Sequence, residues 1–171
     1  MSDALRVFIG PIQALAALAG AQPGARLFEL ASDSELLVLP LDDDLHDALH
    51  ASHGTGEWLD SGPRLTTRDL AAGAAASRGA KLAYLEADYS GEQGRQSAVV
   101  WVDGQISIRP VAMTAREARS RAPSFWPVNA ALRALGYKAR PGLDEFTSFG
   151  LARLGSSSDV ASHGRAVAWR A

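Results

Sequence analysis

The stretch LDDDLHDALHASHG, residues 41–54, gathers three of the chain's four histidines behind a run of three aspartates. His46, His50 and His53 stand at i, i+4 and i+7, so a helix aligns them in one stripe, with Asp42 or Asp43 a turn earlier. Neutral imidazoles at that spacing can grip zinc or another divalent ion. The H-E-x-x-H arrangement of metalloproteases, whose glutamate serves as general base, is absent. Leu41, Leu45 and Leu49 form a second stripe, about 100° round the helix from the histidines at roughly 3.6 residues per turn. The leucines are expected to face the core and the histidines to lie on the flank or surface, as part of a solvated polar face.

Glu86 and Asp88 are a second candidate. Two residues apart on a strand, they project from the same sheet face as Tyr84. Paired carboxylates can hold a metal or divide acid–base work between them. The opposite side, Ala83, Leu85 and Ala87, is expected to pack inward. If the acidic side is also covered, a cation must meet it, and Arg95 on the next strand is the expected one. No G-x-S-x-G elbow occurs, and neither GEQG nor GTG is followed by the G-K-[ST] of a phosphate loop. The chain has no cysteine, which excludes disulfides, thiolate metal sites and cysteine nucleophiles. No catalytic residue is assigned on this basis, and no cofactor is expected.

The elements that must position these groups are legible in outline. LRVFIG, ARLFEL and ELLVLPL read as strands, the last a continuous apolar run that suits burial on both faces. PIQALAALAG reads as a helix, with Pro11 in its first turn and Gly20 past its end. Thr66 with Asp69, and Thr114 with Glu117, have capping-box spacing and open an Ala-rich and a basic helix. Between them, KLAYLEADYSGEQGRQSAVVWVDGQISIRP gives three strands, the last two joined by an Asp103-Gly104 hairpin turn. A register pairing Val102 with Gln105, Trp101 with Ile106 and Val99 with Ile108 puts Trp101, Val99, Ile106 and Ile108 on one core face. WPVNAALRALG is a further helix between Pro127 and Gly136, followed by DEFTSFGLARLG. The fold class expected is α+β, a mostly antiparallel sheet centred on residues 81–109 with four or five packed helices. Residues 1–155 are expected to be a single globular domain and 156–171 a mobile or loosely docked tail.

Charge is distributed unevenly. Residues 29–60 hold nine Asp and Glu and no Lys or Arg, whereas residues 64–171 carry fifteen Lys and Arg against nine acids. An acidic segment of this kind repels nucleic acid and attracts a basic partner, unless arginines fold back upon it. The basic helix REARSR lacks interleaved aromatics, so no nucleic-acid partner is expected. No apolar run approaches the roughly 18 residues of a membrane span and no signal peptide is visible, so a cytoplasmic location without membrane contact is expected.

Three motifs in order, LAYLEADYSGEQGRQSAVVWVDG, WPVNAALRALG and DEFTSFGLARLG, resemble an uncharacterised family of small bacterial proteins. In that family an AY-E-EYFGG-G-QSA-VW-DG hairpin precedes a PIN-ALR-LG helix and a DEF--LGL-R-R segment. The resemblance covers roughly residues 81–154. It departs at Ser90-Gly91-Glu92, where the family has an aromatic-Gly-Gly turn, and at Arg153-Leu154-Gly155, where it has a basic end. It implies an accessory protein of a kind that includes immunity proteins against a secreted toxin. It also singles out Gly91, Gly94, Gln96, Asn129, Asp144 and Glu145. From the residues alone, the glycines make a turn, Asn129 braces a helix, and Asp144 and Glu145 precede a helix start.

The leading expectation is a non-enzymatic immunity-type protein that occludes a cognate protein toxin through an acidic surface. Its binding residues are Asp42, Asp43, Asp44, Asp47, Glu57, Trp58 and Asp60. The alternatives are a metal-dependent hydrolase using His46, His50 and His53 or the Glu86/Asp88 pair, and a structural subunit of a larger assembly.

Overall fold

The computed structural model describes residues 4–54, 56–88 and 94–169, and only the backbone of His53. Its framework is one seven-stranded sheet in which every neighbouring pair is antiparallel, in the order β6-β5-β4-β1-β3-β2-β7. The strands are β1 (Leu5–Gly10), β2 (Leu27–Glu29), β3 (Leu37–Pro40), β4 (Lys81–Asp88), β5 (Arg95–Val102), β6 (Gln105–Thr114) and β7 (Arg165–Val167). The fold is α+β. Strands β4 to β6 make one half of the sheet and β1 lies at its middle.

Both faces of the sheet are covered. On one lie α1 (Ile12–Ala19), α2 (Asp43–His53) and α3 (Thr67–Ala76). Their Leu15, Leu18, Leu45, Leu49 and Ala72 pack with Phe8, Leu39, Tyr84, Val99 and Trp101 of the strands. On the other lie α5 (Pro127–Ala134), α6 (Glu145–Phe149) and α7 (Asp159–His163). There Val128, Leu132, Phe149 and Val160 pack with Val7, Ile9, Val38, Leu85 and Val100. The short α4 (Ala115–Arg119) follows β6 directly. Strand alternation therefore sends side chains into one of two cores, and Tyr84 and Glu86 are buried beside Leu85 and Ala87 rather than solvated. The expectation of a single inward side on β4 is corrected accordingly: the layer of α1, α2 and α3 covers the side that looked polar.

Local signals are realised as read. Thr66 and Thr114 each form a capping box with the acid three residues on. Asp103 and Gly104 both take positive φ, 49° and 80°, as a two-residue hairpin turn requires. The hairpin register departs from expectation beyond Trp101–Ile106. A bulge makes Ile108 pair with Val100 instead of Val99, so Ile108 packs toward the α5 core; Ile106 keeps its pairing with Trp101 but is 42% exposed.

The segment expected to be a loose tail completes the sheet. β7 pairs with β2, Val160 is fully buried, and Ser157 Oγ accepts the Arg6 backbone N–H at 2.9 Å while lying 3.0 Å from the Arg6 carbonyl. These bonds run from main chain to main chain or from a single serine, so they require no apolar period in the sequence.

Gly73, in the interior of α3, lies against the buried ring of Trp101. A Cβ there would sit 2.5 Å from the ring. Gly→Ala in a helix normally gains up to about 1 kcal/mol. At this site overpacking reverses the sign, and Gly73→Ala is expected to destabilise the protein by about 1–3 kcal/mol, read as a lowered urea midpoint.

Candidate functional site

Helix α2 begins where Asp42 Oδ1 accepts the backbone N–H of Leu45 at 2.8 Å, with Asp43 and Asp44 in its first turn. Leu41, Leu45 and Leu49 are buried and hold the helix to the sheet. His46 and His50 are rotated from that stripe, but not into solvent. Their side chains are only 16% and 15% exposed. The expected solvated face is corrected here: α3 and the loop before it close over both rings. The side chain of His53 lies outside the described residues.

Two groups, Trp58 and Asp69, meet the two rings. The imidazoles themselves lie with centroids 4.0 Å apart. Trp58 stacks on His46 at 6.0 Å and 14° and meets His50 edge-on at 6.4 Å. Asp69, 4% exposed, straddles His50 Nε2, with Oδ1 at 3.2 Å and Oδ2 at 3.4 Å. Oδ2 also accepts the Thr66 N–H at 2.6 Å and the Thr66 hydroxyl at 2.8 Å. One carboxylate thus closes the start of α3 and grips α2.

The loop that carries Trp58 is pinned to the same cap. Trp58 bridges to Thr66, Leu59 N–H donates to the Leu65 carbonyl at 3.0 Å, and Thr67 N–H donates to the Glu57 carbonyl at 2.9 Å. Gly56 permits this approach, because a Cβ there would meet Thr67 and Arg68 at 2.6–2.9 Å. Trp58 nevertheless remains 58% exposed, so the pinch presents it rather than burying it.

The acidic segment is divided. Glu29 pairs with Arg165, Asp33 with Arg140 at 3.9 Å and Asp43 with Arg6 at 3.0 Å. The nine acids therefore do not form one uniform surface. Asp42, Asp43, Asp44 and Asp47 on and before α2, with Glu57 and Asp60 flanking Trp58 in sequence, are exposed.

Glu86 is structural in its contacts. It accepts the Arg64 backbone N–H at 2.9 Å and the Tyr84 hydroxyl at 3.3 Å, with the Arg64 guanidinium 4.0 Å away. Arg64 thus meets Glu86 in the place expected of Arg95, whose guanidinium donates to the Gly62 carbonyl. Asp88 is partly exposed at the strand end, on the rim of a groove of about 210 Å³ shared with Gly94, Gln96, Ala118 and Trp126.

The positions singled out by resemblance hold the other helical layer together. Asn129, fully buried, donates to the Pro123 carbonyl at 2.9 Å and accepts the Phe146 N–H at 2.7 Å. Asp144 caps α6 through the Thr147 N–H at 2.7 Å, and Glu145 pairs with Arg133 at 2.9 Å. The Gly94 carbonyl accepts the Ala115 N–H at 2.7 Å, and Gln96 Oε1 lies 3.5 Å from the Val128 N–H. Gly91 and the Ser90-Gly91-Glu92 turn lie outside the described residues.

Sequence reasoning read Asp69 only as half of a capping box. Its second role arises from 19 residues of separation to His50, which no local spacing encodes. Among the described residues, His46, His50 and Asp69 are the His/Asp/Glu group whose ligand atoms all lie within 4.8 Å of one another.

Burial, and then the Glu86 charge, push the Tyr84 hydroxyl well above its ordinary range. Above about pH 10 the unfolded chain sheds a tyrosine proton that the native protein keeps. The contribution is complete below that pH and is lost as pH rises past it. Stability is expected to fall on the alkaline side, with a shallower decline in Tyr84→Phe, read from urea midpoints across pH 9–11.

Among the described residues no helix is long and apolar enough to cross a membrane. No family model, no curated protein and no solved structure matches the chain.

Proposed function

We propose that this is a non-enzymatic binding protein of immunity type, which occludes a basic protein toxin through the surface formed by α2 and the Trp58 loop. The observation that carries the reading is Trp58 itself. A large aromatic ring held 58% exposed by a pinned loop, over two partly buried imidazoles, has little to do in the free protein. At an interface such a ring, already restrained, loses little further entropy and supplies much of the affinity. The exposed carboxylates of Asp44, Asp47, Glu57 and Asp60 favour a basic partner and speed its approach. The resemblance of residues 81–154 to small bacterial accessory proteins supports the same reading.

The arginine pairs narrow the surface. Glu29 and Asp33 are engaged by Arg165 and Arg140, so the docking face is confined to α2 and residues 57–60.

Affinity capture from the native bacterium tests the proposal. The expected catch is a basic toxin from a neighbouring locus, with purified protein rescuing toxin-treated cells. Trp58→Ala is expected to weaken the complex by about 2 kcal/mol, roughly thirtyfold, and Asp47→Lys to slow association. Failure to recover such a toxin, together with no rescue, contradicts the proposal.

A further inference from the structure

We infer that His46, His50 and Asp69 form a binding site for a divalent transition-metal ion, zinc by donor type, built across α2 and α3 beneath Trp58. The inference is independent of the docking partner.

The donor set is two imidazoles and one carboxylate, which suits a borderline ion such as zinc. The ligand atoms are close already, all within 4.8 Å of one another. His50 Nε2 and Asp69 Oδ1 are 3.2 Å apart. A tetrahedral ion with bonds of about 2.0–2.1 Å needs ligand edges of about 3.3–3.4 Å, so one edge is in place. The remaining closure falls to ring rotation of the His side chains. Exposures of 15–16% leave both rings reachable from solvent, and a water completes the fourth position.

The carboxylate is preorganised. Oδ2 is held by the Thr66 N–H and hydroxyl, which fixes the direction of Oδ1. Outer contacts of this kind orient metal ligands and raise affinity. The hydrogen bond between His50 and Asp69 is the competing structural use of the same atoms, and metal entry exchanges it for two bonds to the ion. The site differs from the i, i+4, i+7 stripe in its third ligand, which comes from another helix.

The test uses tag-free full-length protein freed of metal with chelator. Zinc titrated by calorimetry is expected to bind at one equivalent, and cobalt to quench tryptophan emission in the wild type but much less in Trp58→Phe. His46→Ala, His50→Ala and Asp69→Asn are each expected to weaken zinc binding by at least about tenfold. Asp69→Asn keeps an oxygen acceptor for Thr66, and circular dichroism checks that it folds. His53→Ala is expected to bind zinc as the wild type does. No binding at about 100 μM zinc overturns the inference. So does loss of binding in His53→Ala with binding kept in folded Asp69→Asn, which assigns the metal to the single-helix stripe.

Discussion

A buried carboxylate tolerates its site only when its oxygens are satisfied, and Asp69 satisfies them with two helices at once. Oδ2 takes the Thr66 N–H and hydroxyl at the start of α3, and Oδ1 faces His50 on α2. Shifting either helix would strand a charge 4% exposed to solvent. The relative placement of α2 and α3 is therefore set by electrostatics as well as by the leucines beneath. The loop between them has its position set by the same cap, because Trp58 pairs with Thr66.

That constraint links the sheet to the exposed surface above α2 and α3. The sheet, buried on both faces, is a rigid plate, and the α1–α2–α3 layer lies on it through Leu15, Leu45, Leu49 and Trp101. On the solvent side of the layer, the restrained imidazoles act as a shelf for Trp58. The carboxylates around the shelf are exposed on α2 and residues 57–60, whereas those of the β2 end are drawn to arginines. Docking and metal binding draw on the same preorganisation, one through the exposed ring and the other through the atoms below it.

The readable part of the fold was the part set by neighbours in sequence. Both capping boxes, the Asp103-Gly104 turn and the Leu41–Leu45–Leu49 stripe depend on spacings of four residues or fewer. What escaped depends on distance. The bulge at Val100 shifts the register beyond the turn, and a two-residue turn cannot encode it. Tyr84 and Glu86 imitate a solvent face because their polar atoms satisfy one another within the core. β7 is three residues long and is held by β2 main chain, which leaves no period to read. At the site, the histidines were evident while their burial and their acidic partner were not, since the cover comes from α3 and the loop before it and the partner lies 19 residues further on.

The coupling between Asp69 and His50 is the point on which this account rests, and a double-mutant cycle measures it. Urea unfolding of wild type, His50→Ala, Asp69→Ala and the double variant gives the interaction energy directly. The account predicts a coupling of about 0.5–3 kcal/mol in the direction that favours the pair. Additivity within about 0.3 kcal/mol would contradict it, and would leave α2 and Trp58 without the anchor assigned to them.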